Sequence, residues 1–250
     1  MYAKIRIFMK IFTILRTIFT YLIYFLVCLI LVPPAMIILL LPEYYRYNNK
    51  FLFYIIYLLY KSILYLSFLP IKIHGQQNIS KDTNYIFVAN HSSALDIPML
   101  GYVVTKGRLH TWLVLEKYAS KPVLGFFIRR LFVTVNQQSA MNSGRSLIQI
   151  LKFINAYPRD ILLFPEGGRY LDEKVHDFFL GFVILVQKTG YPVIPVYLRN
   201  VGKAYPPFSF LIHNYKIMAN IGAPMEKMND ESAQEFSDRV RNWFIKQSEL

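Results

Sequence analysis

Two hydropathy textures divide the chain. Through the first 72 residues apolar positions run almost unbroken: residues 17–42 hold no charged side chain, and the run Phe51–Ile71 holds one, Lys61. From residue 71 the apolar residues fall into short runs bounded by Gly, Pro, Asn or charge, with stretches of helical period between them. Strands are predicted at Ile71–His74, Tyr85–Ala89, Thr111–Leu115, Phe132–Val135, Ile161–Phe164, Val193–Leu198 and Lys216–Ile221, each rich in Ile, Val, Tyr or Phe. Helices are predicted at 97–105 after Asp96, at 143–156 with Ser143 as cap, at 174–189 and at 230–247. In the second of these Leu147, Ile150, Leu151 and Ile154 share one face; in the last, Phe236, Val240, Trp243 and Phe244 do.

Alternating strands and helices predict an α/β fold, a mixed sheet covered by helices, preceded by an N-terminal membrane-embedded helical segment. The expected division is 1–72 as the membrane anchor and 73–250 as the globular domain. Strand order is not readable from the pattern.

The 26 residues of 17–42 would reach about 39 Å as a straight helix, longer than a hydrocarbon core of about 30 Å. Pro33 and Pro34 predict a kink or break. The second run carries Tyr54, Tyr57, Tyr60 and Tyr65, a residue type of membrane interfaces, and is either a shallow return helix or a second span. Lys4, Arg6, Lys10 and Arg16 before the first run resemble a signal peptide. The run is too long for a signal core, however, and no small-residue cleavage site follows it, so a retained anchor with a cytoplasmic N-terminus is expected.

Composition narrows the classes. Net charge is +13, from 28 Lys+Arg against 15 Asp+Glu, and aromatic residues make up 16%. A disordered chain is excluded by the aromatics, and a disulfide scaffold by the lone Cys28. Residues 97–159 hold nine basic residues against Glu116. Excess positive charge suits nucleic acid or an anionic membrane; the apolar extension and the lack of any nucleic-acid motif favour the membrane. Scattered histidines (His74, His110, His176, His213) without metal-ligand spacing give no metal site, and no G-x-S-x-G elbow marks a serine hydrolase. His176-Asp177 reads as a solvated helix start.

Two constellations carry candidate chemistry. Asn90-His91-Ser92-Ser93-Ala94-Leu95-Asp96 follows a buried strand, at the carboxyl end where α/β proteins place ligands. On a continuous helix His91 and Asp96 would lie about 140° apart. They pair only if His91 precedes the helix and the chain curls before Asp96, which leaves the far imidazole nitrogen as a base. By spacing alone, the simpler account has Asp96 capping the helix. Phe164-Pro165-Glu166-Gly167-Gly168-Arg169 follows another strand: two glycines permit a tight turn, and an arginine beside exposed backbone N–H groups suits phosphate. Alone, it is an ordinary turn with a surface ion pair.

In this order, 75 residues apart, the two blocks resemble the NH-x4-D and FPEGTR blocks of the glycerolipid acyltransferase family, which includes lysophosphatidic acid acyltransferases. Pro192-Val193-Ile194-Pro195-Val196 resembles the family's later V-I-P-V block, and Lys117, Pro122 and Gly125 its intervening K…P..G stretch. The resemblance spans residues 70–222. It implies that His91 is the general base, that Asp96 orients it, and that Glu166, Gly167, Gly168, Arg169, Lys117 and Pro195 bind substrate. It further implies an acyl-CoA or acyl carrier protein co-substrate, a lyso-lipid acceptor, no metal or other cofactor, and a place at the cytoplasmic face of the inner or cell membrane.

The chain departs from the family at Gly168 and Tyr170, where Thr and Ser are usual. It also has Val135 or Asn136 in place of a second arginine, and Leu180 in place of a lysine. Arg129, Arg130 or Arg145 are candidate substitutes for that arginine. The Phe- and Leu-rich segments 123–132 and 178–186 are expected to line an acyl groove. A different lyso-lipid acceptor, and a non-catalytic lipid-binding membrane protein retaining the fold, are the alternatives.

Overall fold

The computed structural model describes residues 2–170, 172 and 174–249, with side chains from Arg6 and Phe8 onward apart from Ala140; the side chain of Lys4 lies outside them. Helix α1 runs from Tyr2 to Leu39. Pro33 and Pro34 do not break it, because Ala35 and Leu39 beyond them are buried against the following helical hairpin. From Thr13 to Leu39 a stripe at helical spacing is buried or half-buried, fully so at Thr17, Thr20, Ala35 and Leu39. The opposite stripe exposes Phe12, Leu15, Phe19, Leu22, Leu26 and Leu29. The short α2 (Glu43–Tyr47) turns the chain into α3 (Lys50–Leu66), whose start is capped by Asn49, accepting the Leu52 N–H at 2.9 Å. Helix α3 buries Leu52, Phe53, Ile55, Ile56, Tyr60 and Leu64 against protein and exposes Phe51, Tyr54 and Tyr65. Helix α3 thus presents one face to protein and an aromatic face outward.

The domain beyond follows the predicted alternation: β1 (Ile71–His74), β2 (Ile86–Ala89), α4 (Asp96–Thr105), β3 (His110–Leu115), α5 (Glu116–Ala119), α6 (Pro122–Leu131), β4 (Val133–Val135), α7 (Ala140–Ala156), β5 (Asp160–Leu163), α8 (Gly181–Thr189), β6 (Val193–Arg199), α9 (Val201–Ala204), β7 (Ile217–Ile221) and α10 (Ala233–Glu249). Among the described residues the seven strands form one sheet in the order β1-β7-β6-β2-β5-β3-β4. Pair β6–β7 is antiparallel and the others are parallel, so the sheet is mixed, as expected.

Strands β2 and β5 are buried at every position because both faces of the sheet are covered. Phe87, Ala89, Leu162, Ile194 and Val196 pack on one face with Met99, Leu100 and Val103 of α4. Ile86, Val88, Ile161, Leu163 and Val193 pack on the other with α7, α8 and α10.

The helices differ from expectation at α7, α8 and α6. Helix α7 starts at Ala140, capped by Ser139, which accepts the Asn142 N–H at 3.2 Å, and not by Ser143. Helix α8 starts at Gly181, not 174. The backbone before it bonds elsewhere: Arg241 donates to the carbonyls of Val175 and His176, and Phe179 N–H donates to the Pro165 carbonyl. Helix α6, opened by Pro122, was not read from the pattern. Within 178–186, Phe178, Phe182, Val183, Leu185 and Val186 belong to the core beneath the sheet, while Phe179 and Leu180 are exposed.

Candidate active site

The carboxyl ends of the central strands build the site. Where β2 ends, the Asn90 side chain substitutes for backbone: its Nδ2 donates to the Leu198 carbonyl at 2.9 Å, and its Oδ1 accepts the Leu198 N–H at 2.7 Å. The chain then curls through Ser92 and Ser93 before α4 begins at Asp96. One oxygen of the fully buried Asp96, Oδ2, accepts the N–H groups of Ser92 and Ser93 at 2.6 and 2.7 Å. His91 Nδ1 lies 2.9 Å from the same oxygen. The two residues thus pair by the curl that the sequence required. With Nδ1–H donated to the carboxylate, Nε2 is the nitrogen left free.

The imidazole is also held by stacking. Phe164, first residue after β5, lies parallel to it at 3.9 Å between centroids and 5° between planes, and itself packs on Trp112. The His91 side chain is 14% exposed. Tyr170 N–H donates to the His91 carbonyl at 3.2 Å, tying the two loops together.

Beyond Phe164, Glu166 turns inward. It is buried, its Oε1 has no hydrogen-bond partner, and burial pushes its carboxyl up to about 7, an effect that nearby His176 partly counters. Gly167 makes this turn possible: its φ is +68°, and a Cβ there would stand 2.5 Å from the Phe179 ring. A cavity of about 540 Å³ opens in front, lined by His91 and Glu166 and by Lys174, Tyr197, Arg199 and Lys203 among others. That volume suits a small-molecule site.

The other expected site residues lie elsewhere. Arg169 is exposed and does not line the cavity; Gly168 sits on the loop with room for a side chain. Lys117 is exposed on α5, its Nζ 5.3 Å over the Tyr118 ring, at the same edge of the sheet but outside the cavity lining. Pro195 is buried inside β6 opposite Val88, and its carbonyl accepts the Gly222 N–H, so its place is structural. Arg129 and Arg130 are committed to the carbonyls of Ala119 and Leu39, and Arg145 is exposed on α7 away from the cavity. Arg108, expected on a solvated basic face, pairs with buried Asp160 at 2.8 Å. His176, expected at a helix start, instead stacks on Tyr170 at 3.6 Å and bonds Asp172. Sequence reasoning passed over Lys174, Arg199 and Lys203. For Arg199 a signal existed, since it ends a long buried strand. Among the described residues no cluster of three or more His, Cys, Asp or Glu is arranged to hold a metal ion.

A His–carboxylate pair stands at the carboxyl edge of a mixed α/β sheet and faces a cavity, with Ser92 beside His91 in the lining, an arrangement able to activate a hydroxyl. The Acyltransferase family model matches residues 70–199, and the chain belongs to that family. It is 29% identical over 175 residues to the 1-acyl-sn-glycerol-3-phosphate acyltransferase BAT2 of Brassica napus chloroplasts, covering 68% of this chain and 48% of that protein. Similarity to the 1-acyl-sn-glycerol-3-phosphate acyltransferase of Saccharomyces cerevisiae is also 29%, over 71% of this chain and 59% of that one. The chain thus spans about half the length of these curated relatives. Its fold is that of the crystal structure of the 1-acyl-sn-glycerophosphate acyltransferase PlsC from Thermotoga maritima: the TM-score is 0.76 at 24% identity, over 96% of this chain and 97% of that one.

Proposed function

We propose that this protein moves an acyl group from acyl-CoA or acyl carrier protein to the free hydroxyl of a lyso-lipid, with 1-acylglycerol-3-phosphate as acceptor. The observation that carries the reading is the His91–Asp96 pair, 2.9 Å apart, stacked under Phe164 and facing the cavity. His91 Nε2 takes the acceptor's hydroxyl proton as that oxygen attacks the thioester carbonyl. Asp96 stabilises the imidazolium that forms. Collapse of the tetrahedral intermediate breaks the C–S bond, and the imidazolium returns its proton to the leaving thiolate. No acyl-enzyme is needed, because the attacking oxygen belongs to the substrate.

The same reading places the protein on a membrane at its cytoplasmic face, where the thioester donor is found. Helix α1 is long and apolar enough to cross a bilayer, yet its packing favours another orientation. Arg16 donates to the Ile212 carbonyl, Thr17 accepts the Ile212 N–H and Thr20 donates to the Leu66 carbonyl, while Arg130 of α6 donates to the Leu39 carbonyl. These contacts lie about 35 Å apart along the helix. A helix held to a water-facing domain at both points lies along it, with its exposed apolar stripe in the bilayer surface.

Purified full-length protein with acyl-CoA or acyl carrier protein and a panel of lyso-lipids tests the function. Transfer to 1-acylglycerol-3-phosphate that disappears in His91→Ala is expected; absence of transfer to every lyso-lipid would refute it. Vesicle flotation and protease mapping test the orientation, which a domain protected inside sealed vesicles would overturn.

A further inference from the structure

A line of aromatic side chains leads from the His91 imidazole to helix α3. Phe164 stacks on His91 at 3.9 Å and packs on Trp112 at 5.5 Å between centroids. Trp112 stands in β3 opposite Leu162 of β5, and Phe164 follows Leu162 by two residues, on the same face of the sheet. Trp112 is buried, and its indole Nε1–H leaves the sheet for its partner: it donates to the hydroxyl of Tyr60 at 3.0 Å. Tyr60 is itself buried, on α3, outside the residues 70–199 that the family model matches.

The same tyrosine bears on the other half of the pair. Helix α4 begins at Asp96, whose carboxylate holds His91, and its Gly101 lies against the Tyr60 ring, where a Cβ would stand 2.4 Å from Cε2. Glycine is what lets α3 come this close. One side chain of the N-terminal helical hairpin thus touches both the strand residue behind Phe164 and the helix that carries Asp96. A buried indole N–H without an acceptor is costly, so the bond to Tyr60 fixes where the Trp112 ring stands. Close-packed rings pass a displacement on to their neighbours. When His91 takes a proton, the aromatic face against it favours the charge that forms.

We propose that Tyr60 is a positioning residue for the base: through Trp112 and Phe164 it sets the plane of the His91 imidazole, so that the N-terminal hairpin is part of the frame of the active site. The proposal rests on the acyltransferase reading for its reaction, but one of its readouts needs no turnover.

Steady-state kinetics on the full-length protein, with the melting temperature of each variant, supply the first readout. Tyr60→Phe removes one oxygen and keeps the ring. It should lower kcat about tenfold, with acceptor and donor KM within about twofold of wild type. Trp112→Phe removes the donor instead and should lower kcat by a similar factor, and the double variant should stay within about twofold of the slower single one. In Phe164→Leu, where the stack is already lost, adding Tyr60→Phe should change kcat less than about twofold. Tyr65→Phe loses a hydroxyl contact on the same helix, to Tyr102 at 2.9 Å, yet should keep wild-type kcat. A folded Tyr60→Phe with wild-type kcat, whatever its melting temperature, would overturn the proposal. So would a tenfold loss that persists in the Phe164→Leu background. The second readout is the His91 Cε1–H NMR resonance, displaced by the ring current of Phe164 and assigned with His91→Ala. Tyr60→Phe should move it and Tyr65→Phe should not. A moved resonance in a protein that transfers no acyl group would keep the positioning role and sink the proposed reaction; transfer by wild type, with resonance and kcat unaltered in Tyr60→Phe, would do the reverse.

Discussion

The loops 90–96 and 164–170 leave neighbouring buried strands at the same edge of the sheet and both reach the cavity, but they hold their polar groups differently. In the first, one carboxylate oxygen gathers two N–H groups and the imidazole, Asn90 is bonded through both side-chain atoms, and Ser93 Oγ bridges to Tyr205. Both loops bury one carboxylate oxygen without a partner, Asp96 Oδ1 and Glu166 Oε1, but in the second Gly167 depends on positive φ and Arg169 stands in solvent. A base must be preorganised before the acceptor arrives, whereas groups that grip a substrate can wait for it to complete their bonds. On the proposed mechanism, the first loop carries the base and the second meets the substrate.

Substitution of His91 by Ala should produce the largest effect, a loss of about 10²–10⁴ in turnover with the fold intact. Circular dichroism alongside the assay checks this, and wild-type turnover would remove the contrast between the loops. Next comes Asp96→Asn, with turnover down about 10²-fold or more through lost imidazole orientation. Because two backbone N–H groups also lose a charged acceptor, its melting temperature should fall too; a slow but fully stable variant would mean that the loop holds itself without the carboxylate.

The third test is pH-dependent. The folded Glu166 carboxyl, raised from 4.5 to about 7, keeps its proton where the unfolded chain has lost it. Stability should therefore fall as pH rises from about 4.5 through 7, by up to about 3 kcal/mol. Glu166→Gln should flatten that part of the denaturation profile, and an unchanged profile would show Glu166 already paired.

A smaller loss, about 1–3 kcal/mol, is expected for Gly167→Ala from positive φ and the Phe179 ring; urea denaturation reads it. The smallest effect belongs to Arg169→Ala, with acceptor KM within about threefold of wild type. A larger rise would move Arg169 into the site and narrow the difference between the loops.

Much of this was legible in the sequence. The seven strands lie within a residue of the apolar runs that predicted them, because each short β-rich run is bounded by residues that end a strand. The His91–Asp96 pairing was legible as a condition, a curl before the helix. The missed start of α8 has a nonlocal cause, since side-chain donors on Arg241 capture the carbonyls that a helix from 174 would have used.

By itself the sequence determined which residues form strands and which run is apolar enough for a membrane, properties of local period and residue type; the two blocks drew notice through their paired resemblance to an acyltransferase pattern. The tertiary structure decided the order β1-β7-β6-β2-β5-β3-β4, the docking of α1 along the domain, and the makeup of the cavity wall. Lys174, Arg199 and Lys203 are far from His91 in sequence and share no motif with it. They meet it because β6 lies beside β2 in the sheet and because the covered core leaves the carboxyl edge as the place where polar side chains converge.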